Sequence, residues 1–158
     1  AQFEFTNEDR EAFRDALGGN IYELTPRRRN YLILRIDSFI SDGAATYDPS
    51  VLTIEHVLPQ TVPENSEWMV WWPDTDERKA WVHRLANLVP LNKKKNSAAQ
   101  NYEFRRKCDI YFSGTKNVSS YALTSQVMAH EEWTPAIVES RQHQLLEILY
   151  ENWNIQDA

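Results

Sequence analysis

Two short apolar runs constrain this chain more than any other feature. The first, Val51 to Val57, alternates and carries enough β-branched residues to be a strand; it includes Glu55-His56 near its end and is stopped by Pro59-Gln60. The second, Asn87 to Leu91, follows Leu85-Ala86 and runs into Asn92-Lys93-Lys94-Lys95-Asn96. Between them, residues 61–73 read as irregular and aromatic-rich, with Trp68, Trp71 and Trp72 close together. Asp74 to Arg84 reads as a short helix capped by Asp74 or Thr75. The three indoles read first as core filling beside the hairpin. The functional alternative is a platform on which an unpaired or flipped base stacks.

The remainder reads as helix. Thr6 to Asp9 has capping-box spacing, with Asp where Glu is usual. Ala12, Phe13, Ala16 and Leu17 follow at helical spacing until Gly18-Gly19. Thr25-Pro26 is a second start signal, and Tyr31, Leu34, Ile36, Phe39 and Ile40 then mark a mostly buried helix that stops by Gly43. Arg27-Arg28-Arg29 stands at the wrong end of that helix for its dipole. The triplet reads as a solvated face first, and as a DNA-backbone contact or docking surface second. Asn92 to Phe112 reads as mostly helical, and Ser119 to His130 and Thr134 to Trp153 as two further helices. In the last, Ile137, Leu145, Ile148, Leu149 and Trp153 form the apolar side. The expected fold class is α+β, a single mostly helical domain. Residues 1–46 would be a helical N-terminal part, 47–112 a hairpin-plus-helix core, and 113–158 the C-terminal helices.

The residue types at the hairpin suit hydrolysis of a phosphodiester. A histidine such as His56 can take a proton from water near neutral pH. A lone histidine in an apolar strand is more often a satisfied core residue than a catalyst. The adjacent Glu55, the Pro59-Gln60 turn and the matching second run reverse that here. Glu55 and Asn96 offer hard oxygen ligands of the kind Mg²⁺ takes, and Mn²⁺ would substitute. Asn92 rivals Asn96 for the ligand role, and Asn96 also suits a helix cap. Alternate residues of a strand face opposite sides, so Glu55 and His56 share a site only if the strand ends or twists there. His83 reads first as a cap of the preceding helix and second as support for the site; Gln60, in the Pro59-Gln60 turn, reads as support for the site. Lys93, Lys94, Lys95, Arg105, Arg106 and Lys107 form the one concentrated basic stretch. Contacts of that type set affinity for DNA and its salt dependence, not sequence choice.

Composition narrows the partners. Net charge is −6, which argues against a protein that binds nucleic acid with its whole surface but leaves room for a local basic patch. A lone cysteine, Cys108, excludes an intramolecular disulfide and the paired cysteines of a zinc ribbon, and fits a reducing cytoplasm. No apolar run approaches the ~20 residues needed to span a bilayer, and there is no secretory signal pattern. The chain begins with Ala1, so it is expected to be the C-terminal piece of something longer.

The pattern resembles the HNH, or ββα-metal, nucleases. In that family an acidic residue–His pair ends the first strand of a hairpin, and an Asn of an N-L-x-x-L run opens the second. A His or Asn follows nine residues later, which is the interval from Asn87 to Asn96. Glu55-His56-Val57-Leu58-Pro59-Gln60 with Leu85-Ala86-Asn87-Leu88 is similar to one branch of these nucleases. That branch is found at the C-terminus of GmrSD-type modification-dependent restriction enzymes and of SspE-type phosphorothioate-linked defence nucleases. Asn101-Tyr102-Glu103-Phe104-Arg105-Arg106-Lys107 matches the branch's N-x-x-F-x-x-K helix, and Trp133-Thr134-Pro135 with Ile137 and Arg141 its closing helix. Ala86 departs from it where Gly is usual, and a tighter approach to the hairpin backbone is expected there.

The resemblance implies a divalent-metal-dependent DNA endonuclease in bacterial defence. His56 would be the general base and Glu55 and Asn96 the metal ligands. Asn87 would organise the loop between the strands through its amide, and a backbone carbonyl would orient the His56 ring. One such site nicks one strand, and double-strand cleavage would need paired nicks or a homo-oligomer. An N-terminal nucleotide-hydrolysing part of the same protein would control it. Two other readings stay open: a DNA-binding or docking module that kept the fold without the chemistry, and a nuclease toxin acting on RNA.

Overall fold

The computed structural model describes residues 6–41, 52–92, 102–112 and 121–156, with the backbone alone at 92 and 110–112. Thr6 opens the first helix as its spacing predicts. Its hydroxyl accepts from the Asp9 N–H at 3.1 Å while the Asp9 carboxylate accepts from the Thr6 N–H at 2.9 Å. The helix, α1, spans Asn7–Gly18 and buries Leu17, leaving Phe13 largely exposed. A 3₁₀ turn, Ile21–Glu23, leads to α2, Pro26–Ile40, with Pro26 in its first turn. Thr25 is extended there, as a cap should be, but its side chain makes no capping bond.

The face that α2 buries differs from the expected one. It is Leu32, Ile33, Ile36 and Asp37, and Tyr31 is 61% exposed. Apolar residues run most of the way round this helix, so spacing alone allows neighbouring faces. Asp37 fits inside because its Oδ1 accepts from the Leu123 N–H at 2.8 Å. That satisfies an otherwise orphaned donor in the first turn of a later helix.

Strand β1, Leu52–His56, pairs antiparallel with β2, Leu88–Asn92. The register sets Glu55 opposite Val89 and His56 opposite Leu88. Two strands alone are marginal in water, and here both faces are covered. Leu52, Ile54 and Leu88 join a cluster with Leu17, Ile21, Ile33, Ile36, Leu145 and Leu149. Val57, Val89 and Leu91 join a second cluster with Trp68, Trp72, Phe104, Cys108 and Trp133. The hairpin is thus the septum between two apolar clusters, which is why β2 reads as nearly continuous apolar residues rather than an alternation.

Residues 61–73 are not wholly irregular: Glu67–Trp71 form a short helix, α3. Trp68 and Trp72 are fully buried, and their ring N–H groups donate to the carbonyls of Tyr102 at 3.0 Å and Trp133 at 2.6 Å. These two rings belong to the core, and no base can stack on them. Helix α4, Thr75–Trp81, is capped by Asp74, whose Oδ1 accepts from Asp76 and Glu77 N–H groups. A 3₁₀ turn, Leu85–Asn87, feeds β2. Helix α5, Phe104–Arg106, continues as a π-helical stretch, Lys107–Phe112. Then come α6, Ala122–Met128, and α7, Pro135–Trp153, which ends on left-handed Asn154. The fold is α+β, one small domain of helices around a two-stranded sheet. No described helix is long and apolar enough to cross a membrane.

Candidate active site

Strand alternation decides the first question about the site. Glu55 and His56 leave β1 on opposite faces, and both are 5% exposed. His56 faces the N-terminal 3₁₀ turn, where its ring lies 4.2 Å from that of Tyr22. Its Nε2 is 3.0 Å from His83 Nδ1, and its Nδ1 is 3.4 Å from the Gln60 amide nitrogen. Burial, then the neighbouring His83, Lys107 and Arg29, pushes His56 down to about 3, so the imidazole is neutral at physiological pH.

His83 therefore does more than finish the preceding helix. Its ring is stacked on Tyr22 with centroids 5.2 Å apart and only 8° between planes. Its carbonyl accepts from the Tyr22 N–H at 3.2 Å. The partner at Nε2 of His56 is this side chain, in place of the expected backbone carbonyl. The His56 carbonyl instead accepts from Lys107.

By sequence Lys107 belongs among the DNA-contacting cations, and the structure corrects this. It is fully buried, and its ammonium donates to the His56 carbonyl at 2.8 Å and to Glu55 Oε1 at 3.3 Å. The pairing does not fully offset burial for either partner. Desolvation raises the Glu55 carboxyl above its ordinary range despite Lys107, and lowers Lys107 to about 8 despite Glu55. The spacing carries a signal of this: Phe104, Lys107 and Cys108 fall at helical positions i, i+3 and i+4, on the buried stripe. Arg105 and Arg106 lie on the exposed side, where Arg106 sits 3.9 Å over the Tyr102 ring.

Asn87 ties the two halves of the site together. Its Oδ1 accepts from the Leu58 N–H at 2.8 Å and from the Trp133 ring N–H at 3.1 Å. Its Nδ2 donates to the carbonyls of Leu58 at 3.0 Å and Val82 at 2.9 Å. The amide is fully engaged by the backbone after β1, the end of α4 and Trp133, so nothing of it is left for substrate. One residue earlier, Ala86 is clamped from α7. Its N–H donates to Gln142 Oε1 at 2.8 Å, and its carbonyl accepts from Arg141 Nε at 3.3 Å. Ala86 is fully buried in this close approach. Sequence reasoning misses the clamp, although two polar residues in an otherwise apolar helical pattern are the signal for it.

The rest of the expected set is divided. Lys93, Lys94, Lys95 and Asn96 lie outside the described residues, as does the side chain of Asn92, whose backbone pairs with Leu52 at the end of β2. Among the described residues no three His, Cys, Asp or Glu side chains gather to hold a metal ion. Glu55 is the one described member of the expected ligand pair, and it is engaged by Lys107. The described residues thus do not by themselves compose a metal centre.

A neutral, buried imidazole held at the end of a helix-covered hairpin defines a small α+β domain with an acid–base group at its centre. Comparison across the whole chain makes this specific: the family model for the C-terminal domain of GmrSD restriction endonucleases matches residues 6–148. The chain belongs to that family, and so to a class of restriction-endonuclease-type nucleases. No curated protein matches it.

Proposed function

We propose that this chain is a divalent-metal-dependent DNA endonuclease of the ββα-metal type, with His56 as its general base. The observation that supports this most is the state of His56. It is neutral, held at both ring nitrogens, and placed where the strand ends. A neutral imidazole can accept the proton of a water that attacks phosphorus. A pKa near 3 makes a weak base in the free protein. A phosphate anion beside the ring favours the imidazolium and raises its basicity where it is needed.

Mg²⁺ or Mn²⁺ would offset charge on the phosphate and on the leaving 3′-oxygen, with Asn96 as the candidate ligand. Glu55, on the opposite face of β1 from His56 and engaged by Lys107, is not free to hold it there. Arg105 and Arg106, with Lys93, Lys94 and Lys95, would hold the DNA backbone. One site cuts one strand, so nicking is the elementary outcome, and a homo-oligomer or paired nicks would break both. In the cell the domain would act in the cytoplasm in defence against foreign DNA, under an N-terminal nucleotide-hydrolysing part of the same protein.

The test is a supercoiled plasmid incubated with the protein and Mg²⁺ or Mn²⁺, beside EDTA and His56→Ala. Open-circle DNA that needs both metal and His56 is expected. Binding without cleavage in the full-length protein would make the domain a docking module. Cleavage of RNA alone would make it a toxin. Equal cutting by His56→Ala would remove the activity from this site.

A further inference from the structure

We propose that His83 is the positioning residue for His56: it accepts the His56 Nε2 proton and thereby fixes the tautomer in which Nδ1 carries the lone pair. The inference rests on the reading of His56 as base. Its own readout does not depend on cleavage.

The geometry is a chain of three groups. Between His56 Nε2 and His83 Nδ1, 3.0 Å apart, there is room for one proton, which belongs to one ring or the other. The far side of His56 bears on which. The group facing Nδ1 is the Gln60 amide nitrogen, at 3.4 Å. An amide nitrogen only donates, so this long contact is compatible with Nδ1 as acceptor and the proton on Nε2, and the shorter 3.0 Å contact with His83 Nδ1 is what holds it there. His83 Nδ1 is then the acceptor of the shared proton.

His83 is built to hold that place. Tyr22 covers its face and meets the edge of His56, so both rings are fixed against one phenol. Tyr22 is pinned in turn by Arg29, whose guanidinium lies 4.5 Å over its ring and donates to its carbonyl at 3.2 Å. The first arginine-rich turn of α2 therefore contributes to the site from behind, through Tyr22.

The arrangement also gives His56 a direction. Nε2 points inward to His83. Gln60, at Nδ1, is exposed and lines a groove of about 240 Å³ with Thr61, Arg78 and Lys79. His56 does not itself line that groove, and on this proposal water and phosphate approach Nδ1 past Gln60. In the other tautomer the proton would occupy the nitrogen that has to accept one. Loss of His83 should therefore weaken turnover and leave DNA affinity alone.

The experiment uses ¹⁵N-labelled full-length protein and reads the His56 ring nitrogens by NMR. Three proteins are compared: wild type, His83→Phe, which keeps the stack on Tyr22 without an acceptor, and His83→Asn, whose amide oxygen stands in for Nδ1. Wild type and His83→Asn should show Nε2–H as the dominant His56 tautomer, and His83→Phe a mixture. In the plasmid assay His83→Phe should lose on the order of 10- to 100-fold in kcat, as when the partner orienting an imidazole is removed. KM should stay unchanged, and His83→Asn should recover most of the loss. Nδ1–H in wild type, an unchanged tautomer in His83→Phe, or a mixture in a folded His83→Asn would each overturn the proposal. If the tautomers behave as stated but wild type does not cut DNA, the positioning stands and the nuclease reading falls.

Discussion

Replacing Lys107 with Met keeps an unbranched apolar stem in the second cluster and removes one ammonium. That ammonium is the partner of a carboxylate only 5% exposed and of the His56 carbonyl, and it has no exposure itself. Removing one member of a buried pair leaves the other charge stranded, at a cost of about 3–5 kcal/mol. Against a domain stability of about 5–15 kcal/mol this is a large fraction. Glu55 would respond by keeping its proton. Its folded pKa already lies above the ordinary value of 4.5 because burial outweighs Lys107, and without Lys107 it moves higher. A carboxyl whose pKa is raised on folding stabilises the native state in acid, and that contribution is lost as pH rises above the unfolded value. The deficit of Lys107→Met should therefore be smallest near pH 4 and grow toward pH 7. Urea unfolding followed by tryptophan fluorescence measures it as a shift in midpoint at constant slope. Adding Glu55→Gln should recover most of the loss, leaving about 1–2 kcal/mol for the unpartnered His56 carbonyl. A loss below about 1 kcal/mol at pH 7, or no recovery in the double variant, would refute the view that Lys107 is the obligatory counter-ion of Glu55.

Further outcomes follow from the same geometry. Asn87→Leu strands the Leu58 N–H and the Trp133 ring N–H and should cost about 2–4 kcal/mol, read as a lowered Tm. His56 is neutral when folded, at about 3, against 6.5 in the unfolded chain. Its contribution is full above pH 6.5 and is lost as pH falls toward 3, so His56→Asn should flatten that part of the stability–pH curve. Arg105→Glu with Arg106→Glu should weaken DNA binding in fluorescence anisotropy and lower the slope of log K against log salt by about 1 for each phosphate no longer neutralised. Affinity unchanged by both substitutions would place the DNA elsewhere.

The sequence by itself determined most of the elements, because their signals are local; α3 and the strand end at Asn92 it did not. Thr6 and Asp9 form the capping box they spell, Asp74 caps α4, Thr134-Pro135 opens α7, and the two apolar runs pair as the hairpin. It also marked Glu55, His56 and Asn87 by type and spacing, and Trp68 and Trp72 as core. It did not determine which face an element buries when more than one is apolar. That is why the pattern puts Tyr31 inside and leaves α3 irregular. Nor could it pair residues far apart in the chain. Lys107 is a surface cation by composition, and becomes the partner of Glu55 only when the π-helical stretch after α5 brings its ammonium to the end of β1. His83 ends a helix, and meets His56 and Tyr22 only once three separate segments converge. Such pairings depend on which neighbours remove water from a group. Burial turns a lysine into a counter-ion and a histidine into a neutral, oriented ring, and it exists only in the assembled fold.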